Sequence, residues 1–267
     1  MTSASFLNSL RIVVNYHRSC GIRNYADSDG MKEALAVLDT LGRQDKADAG
    51  PAPLQALTGP SRRVEAAGHA GKTGTPPLAE LSAQIATCSH CSLHGSRQVD
   101  TPGHGGEKPS LLIVGDWLSV QAGRMPGEKE MFGAEQDLML AKMIGAIDLV
   151  PDNVFVTNII KCSVPASIRP TSEQIGVCGS YLKLQIAVLS PRIICAMGTV
   201  AAQTLTGTSQ ALSQLRGRFH PCRLPSAQEI PVMPTYHPTY LLQNPEMKQA
   251  VWADLQAIQR ELKKKIP

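Results

Sequence analysis

Apolar and polar positions follow two rhythms along this chain. Short unbroken apolar runs occur at "LLIVG" (111–115), "NVFVTNII" (153–160), "RIICAMG" (192–198) and "IPVMPTYHP" (230–238). Runs of that length with apolar residues at both parities predict strands buried on both faces. Between and around them the apolar spacing lengthens to that of helices: "LAELSAQIATC" (78–88), "EQDLMLAKMIGAI" (135–147), "TSEQIGVCGSYLKLQIAVL" (171–189), "TVAAQTLTG" (199–207) and "PEMKQAVWADLQAIQRELKKK" (245–265). Thr171 with Gln174 three residues on predicts a capping box that opens the longest of these. Strands alternating with helices predict an α/β protein with a parallel sheet covered on both sides.

The first third of the chain has a different texture. Helical patterning returns in residues 1–43, clearest in "GMKEALAVLDTLG", whereas residues 44–77 are dense in Ala, Gly, Pro and charge and read as a flexible linker. The regular pattern, and with it the expected globular domain, occupies residues 78–267. Residues 1–43 thus form a helical segment of unassigned role, available to contact a partner protein.

Composition narrows the possibilities. The 267 residues are 43% apolar, enough for a sizeable core. The formal net charge of +4 permits a polyanionic partner without requiring one. No apolar run approaches the roughly 20 residues needed to cross a bilayer, and the N-terminus lacks the pattern of a secretory signal, so a cytoplasmic location is expected. No G-x-x-x-x-G-K or G-x-G-x-x-G sequence offers a phosphate cradle.

Candidate chemistry lies at the strand ends. In an open parallel sheet ligands bind beyond the C-terminal ends of the strands, and here the four strands run out at Asp116, Asn158, Gly198 and His237. Any one of these is an ordinary turn residue, but together at one rim they predict a polar pocket. A second constellation is made of thiols. Of seven cysteines, Cys88 and Cys91 form a C-x-x-C pair at a helix end, Cys162 follows the second strand and Cys178 lies in the next helix. Four thiolates suit zinc or a [4Fe–4S] cluster, and the second short-spaced pair usual for zinc is absent. Cys195, inside an apolar strand, reads as a core residue.

The ordered segments "CSHCSLHGSRQVDTPGHG", "LLIVGD", "MFGAEQDLM", "VFVTNIIKC", "CGSYLKLQI", "ICAMGTVAAQTL", "LRGRFH" and "IPVMPTYHPTYLLQNPEMKQAVWADL" resemble the iron–sulfur-containing family four of the uracil-DNA glycosylases, over residues 78–262. The resemblance implies a three-layer α/β/α sandwich with a central four-stranded parallel sheet and a [4Fe–4S] cluster held by Cys88, Cys91, Cys162 and Cys178. It implies a monomeric repair enzyme that hydrolyses the N-glycosidic bond of uracil in single- or double-stranded DNA. Phe132 matches the aromatic on which the extruded base stacks, Asn158 the amide that reads the pyrimidine edge, and His237 the donor to the carbonyl O2. Leu241 and Leu242 match a wedge entering the duplex.

One segment departs from the family. Where relatives carry a Gly-Glu-Ala-Pro-Gly-type turn after the first strand, this chain has Gly115, Asp116, Trp117, Leu118 and Ser119. Gly115 remains available to the uracil pocket and Asp116 is expected to orient the attacking water. The altered turn leaves open a second function class, a catalytically weak or inactive glycosylase fold serving as a DNA-binding scaffold.

Overall fold

The computed structural model describes residues 76–223 and 229–264. The helical segment and nearly all of the linker expected from the sequence lie outside the described residues, and with them the expected partner contact. The described chain begins with α1 (Leu78–Ala86), followed by β1 (His104–Gly105), β2 (Leu111–Gly115), β3 (Ser119–Val120) and α2 (Ala134–Ala146). Next come β4 (Val154–Asn158), β5 (Val164–Pro165), α3 (Ser172–Leu189), β6 (Ile193–Met197) and α4 (Thr199–Thr206). The last third contains α5 (Leu212–Leu215), β7 (His220–Pro221), β8 (Pro231–Thr235), α6 (Pro238–Gln243) and α7 (Lys248–Lys263).

The main sheet has the order β1-β4-β2-β6-β8-β7. Its four inner strands are parallel, and β1 and β7 are two-residue antiparallel edges. The expected four-stranded parallel sheet is therefore the interior of a six-stranded mixed one. The edges escaped the sequence pattern because two residues are too few to show a period. β3 and β5 pair separately as a small parallel ribbon. Every residue of β2, β4 and β6 is buried, as a sheet covered on both faces requires. Right-handed crossovers put the leftward β2–α2–β4 unit and the rightward β6–α4–β8 unit on opposite faces, which gives three layers. The capping box at α3 is present: the Thr171 side chain accepts from the Gln174 N–H, and the Gln174 side chain accepts from the Thr171 N–H at 2.8 Å. Cys195 is fully buried in β6, as expected of a core residue.

This topology fixes where chemistry belongs. β2 leads away to one side of the sheet and β6 to the other, so the strand order reverses between them, and the C-terminal ends at such a switch point are where open α/β sheets bind ligands. In the register, Gly115 at the end of β2 lies level with Asn158 of β4 and Met197 of β6. Among the described residues no helix is long and apolar enough to cross a membrane.

Candidate active site

The strand-end residues meet around Gly115. A Cβ added there would lie 2.3 Å from Phe132 Cε1 and 2.5 Å from Asn158 Oδ1, so only glycine lets the aromatic ring and the amide approach together. The rings of Phe132 and His237 are 4.6 Å apart and tilted by 56°. One cluster thus contains Gly115, Phe132, Asn158 and His237, which the sequence spreads over more than 120 positions. Gly115→Ala is expected to push Phe132 and Asn158 apart and, because a displacement of about 1 Å at a reacting centre can cost about 10²-fold, to slow by about that factor the base release that the family resemblance implies. Comparing single-turnover rates with thermal melts checks this, since a purely global effect would move the melt as well.

Asn158 is completely buried at the end of β4. Its Nδ2 donates to the Met131 carbonyl at 2.7 Å, and its Oδ1 is buried without a partner. The Met131 contact fixes which way the amide faces, because the carbonyl can only accept. The outcome is a lone acceptor held in the cluster, with the second Nδ2 hydrogen still available.

His237 caps the N-terminus of α6. Its Nδ1 accepts from the Thr239 N–H at 3.2 Å and lies 3.0 Å from Thr239 Oγ1. An Nδ1 that accepts leaves the ring proton on Nε2, and that Nε2 is buried without a partner. Burial pushes the imidazole pKa down to about 4, so at neutral pH the ring is an uncharged donor. Leaving a buried polar group unpaired costs about 1–3 kcal/mol. Here one acceptor and one donor are orphaned in one cluster.

Supports behind these groups had no signature in the sequence. Asp137, in the first turns of α2, accepts from the backbone N–H groups of Met131 and Phe132 at 2.9 and 3.0 Å and so holds the "MFGA" loop. Asp254 of α7 takes two bonds from Arg216, at 2.9 and 3.1 Å, and one from Thr235 at 2.7 Å, which anchors the end of β8 just before His237. Arg216 also lies 5.6 Å over the Tyr236 ring.

Asp116 has a different setting from the one expected of a water-orienting acid. Its Oδ1 accepts from the Ala201 N–H at 2.7 Å, in the first turn of α4. The N-cap of that helix is Gly198, which has no side chain to offer, and a Cβ on it would lie 2.6 Å from both Asp116 oxygens. The carboxylate therefore serves as a cap supplied from another strand, and it fills the anion-favouring helix N-terminus at the switch point. Burial pushes its pKa up to about 7, against the lowering pull of the Ala201 N–H and of Arg169.

Leu241 and Leu242, expected together as a wedge, are placed differently. Residues 238–243 are helical, so neighbours point roughly 100° apart. Leu241 is 1% exposed and belongs to the core, whereas Leu242 is 37% exposed. Leu242 alone of the pair faces outward.

Cys88, Cys91, Cys162 and Cys178 line one small cavity together with Ile85, Lys161 and Tyr181. Arg97 closes it from one side: it donates to the carbonyls of Ile85 and Ala86 at 3.0 and 2.7 Å and approaches Cys162 Sγ at 4.0 Å. From the other side the Lys161 N–H donates to Cys178 Sγ at 3.2 Å. Burial pushes the Cys178 thiol up to about 11 and raises Cys162, whose shift Arg97 opposes. Among the described residues, no three His, Cys, Asp or Glu side chains come close enough to share one metal ion. A cubane cluster binds each thiolate to a different iron, and four thiols around one cavity fit it in number and chemistry.

Comparison with known proteins bears on this arrangement. A family model described as the uracil DNA glycosylase superfamily matches residues 102–256. The type-4 uracil-DNA glycosylase of Pyrobaculum aerophilum is 30% identical over 182 residues, covering 67% of this chain and 91% of its own length. The type-4 enzyme of Archaeoglobus fulgidus is 28% identical over 195 residues, covering 71% of this chain and 96% of its own. That of Sulfurisphaera tokodaii is 29% identical over 195 residues, with 69% and 84% covered.

Proposed function

The chain belongs to the uracil-DNA glycosylase superfamily, and from that premise we infer that it is a DNA-repair hydrolase that cleaves the N-glycosidic bond of uracil in DNA. The observation that carries the reading is the orphaned pair, Asn158 Oδ1 and His237 Nε2, buried in one cluster with Phe132. Uracil offers an N3–H donor to the first and an O2 acceptor to the second. Cytosine has no hydrogen on N3, so the fixed Asn158 oxygen would meet a lone pair. A scaffold has no use for two costly unpaired groups, which favours the enzyme over a binding module.

In the reaction, the base leaves the stack and lies against Phe132, with Leu242 as the wedge that fills the vacated space. As the bond from C1′ to N1 breaks, its electron pair passes into the uracil ring and charge grows on O2. The His237 Nε2–H, buried and without a partner, is the donor for that charge and is held in place before the reaction by the Thr239 contact on Nδ1. Water adds to C1′ and gives up one proton to solvent, and the departing uracil anion takes one up at N1, so that free uracil and a C1′ hydroxyl result. Cys88, Cys91, Cys162 and Cys178 would hold a [4Fe–4S] cluster. Because these residues come from the loop after α1, the segment after β4 and α3, a bound cluster would contribute structurally, since hydrolysis moves no electrons.

Asp116 acts in this scheme as the cap of α4. Asp116→Asn keeps an oxygen for the Ala201 N–H and should change base release less than about 10-fold, well below the 10²–10⁴-fold scale of a positioned acid or base. A loss of 10²-fold or more would return Asp116 to the water-orienting role. The same variant has a signature in stability. The native Asp116 pKa of about 7 exceeds the ordinary 3.8, so its contribution is complete below 3.8 and is lost as pH rises through 7. His237 runs the other way: its contribution is complete above 6.5 and is lost as pH falls toward 4. The two offset each other between about 4 and 6.5. Without the Asp116 carboxyl, melting temperature should drop more steeply on acidification through that window than it does in the wild type.

The activity is tested with a labelled oligonucleotide carrying one deoxyuridine, single-stranded or paired, followed by alkaline scission. Cleavage is expected at that position and absent from matched cytosine and thymine strands. Intact uracil strands under all conditions would support the scaffold.

A further inference from the structure

A buried lysine links the thiol cavity to the base-reading amide. Lys161 is 2% exposed and lies three residues after the strand-end Asn158 and directly before Cys162 in "TNIIKC". Its Nζ donates to Gln185 Oε1 at 2.5 Å, Thr157 Oγ1 at 2.6 Å and the Asn158 carbonyl at 2.7 Å. Three acceptors use all three hydrogens of an ammonium group, and an amine would leave one without a donor. The charged form is thus the one that matches the geometry.

The acceptors are themselves held. Thr157 Oγ1 and Gln185 Nε2 both donate to the Pro102 carbonyl, at 3.1 and 2.5 Å. The Lys161 backbone accepts from the Thr101 N–H at 2.8 Å and donates to Cys178 Sγ at 3.2 Å. Asn158 is the last residue of β4, and its carbonyl takes the Lys161 ammonium as a donor there. An apolar side chain of similar length would fill the same space without desolvating a charge. The ammonium supplies what such a side chain cannot, a donor that fixes the peptide carrying the reading amide.

We propose that Lys161 is a positioning residue for uracil recognition: it clamps the Asn158 main chain to Thr157 and Gln185, and so sets the base-reading amide by reference to the Cys178 wall of the thiol cavity. The proposal rests on the uracil-reading role given to Asn158 above and adds a residue that touches neither base nor sugar. It acts through Asn158, and this distinguishes it from a lysine that only stabilises the fold.

A double-mutant cycle on purified, iron-loaded protein tests it, with single-turnover uracil release as the readout and iron content and affinity for an abasic-site strand as controls. Lys161→Met should slow release about 10–100-fold, the scale of a misplaced reacting contact, with iron content kept and affinity changed less than about 3-fold. In an Asn158→Ala background the same change should cost less than about 3-fold, because the group it positions is gone. An equal cost in both backgrounds would show that Lys161 does not work through Asn158 and would overturn the proposal. If Lys161→Met loses iron or fails to fold, the cycle is repeated with Gln185→Leu, which removes one acceptor at a distance from the thiols, and the same non-additivity is expected at smaller size. Loss of iron in both variants would mark the network as structural and would also overturn the proposal. An inactive wild type would instead refute the enzymatic reading, and this proposal with it.

Discussion

Replacing His237 by alanine is expected to slow single-turnover uracil release by about 10²–10³-fold, the range measured when one preorganised oxyanion donor is removed. The expectation follows from the tautomer. Thr239 holds Nδ1 as an acceptor, so the proton sits on Nε2, and that nitrogen has no partner in the folded protein. Because burial pushes the pKa down to about 4, the ring is neutral throughout the range in which DNA is handled. The loss caused by His237→Ala should therefore be the same at pH 6 and pH 8, and the wild-type profile should show no inflection near 6.5. DNA affinity should stay within a few-fold. An inflection near 6.5 that disappears in the variant would mean that His237 acts as an imidazolium, and the neutral-donor mechanism would be wrong.

Replacement of Cys178 by serine should have the largest effect on the fold. Cys178 is the deepest of the four thiols with Cys162, and it meets the Lys161 N–H. Anaerobically purified wild type should contain about four iron and four sulfide per chain, as a cubane cluster requires. Cys178→Ser should reduce iron to a small fraction of that. If losing the cluster costs about as much as losing a native disulfide, about 4 kcal/mol, the melting temperature falls by roughly 8–16 °C in a domain of this size. Oxidising or reducing the intact cluster should leave the rate of base release unchanged. Stoichiometric zinc without sulfide in the wild type would contradict the cluster.

The four inner strands could be read in the sequence because a strand buried on both faces is an unbroken apolar run, and "LLIVG" or "RIICAMG" has few other interpretations. Asn158 and His237 were found by the same reasoning, as polar residues at the points where such runs end. Edge strands β1 and β7 carry two residues each and leave no pattern. The capping contact of Asp116 was not legible because its carboxylate bonds Ala201, 85 positions away, and nothing local indicates that a helix N-terminus lacking its own cap will be there. Leu241 and Leu242 were read as a pair because the six-residue helix that separates their directions is too short to show a period. The Met131 carbonyl that orients Asn158 is main chain and has no sequence signature at all. Lys161 was visible as a residue but not as a buried one, since a lysine beside a cysteine ordinarily faces solvent.

The central claim is that water replaces uracil at C1′. Incubating the iron-loaded protein in ¹⁸O-enriched water with a strand containing a single deoxyuridine, and weighing both products by mass spectrometry, tests this most directly. The account predicts free uracil of ordinary mass and an abasic sugar carrying one ¹⁸O, with both products strongly reduced in His237→Ala and neither formed from a cytosine strand. A strand that retains its uracil after prolonged incubation, or label appearing in the base and not in the sugar, would contradict it.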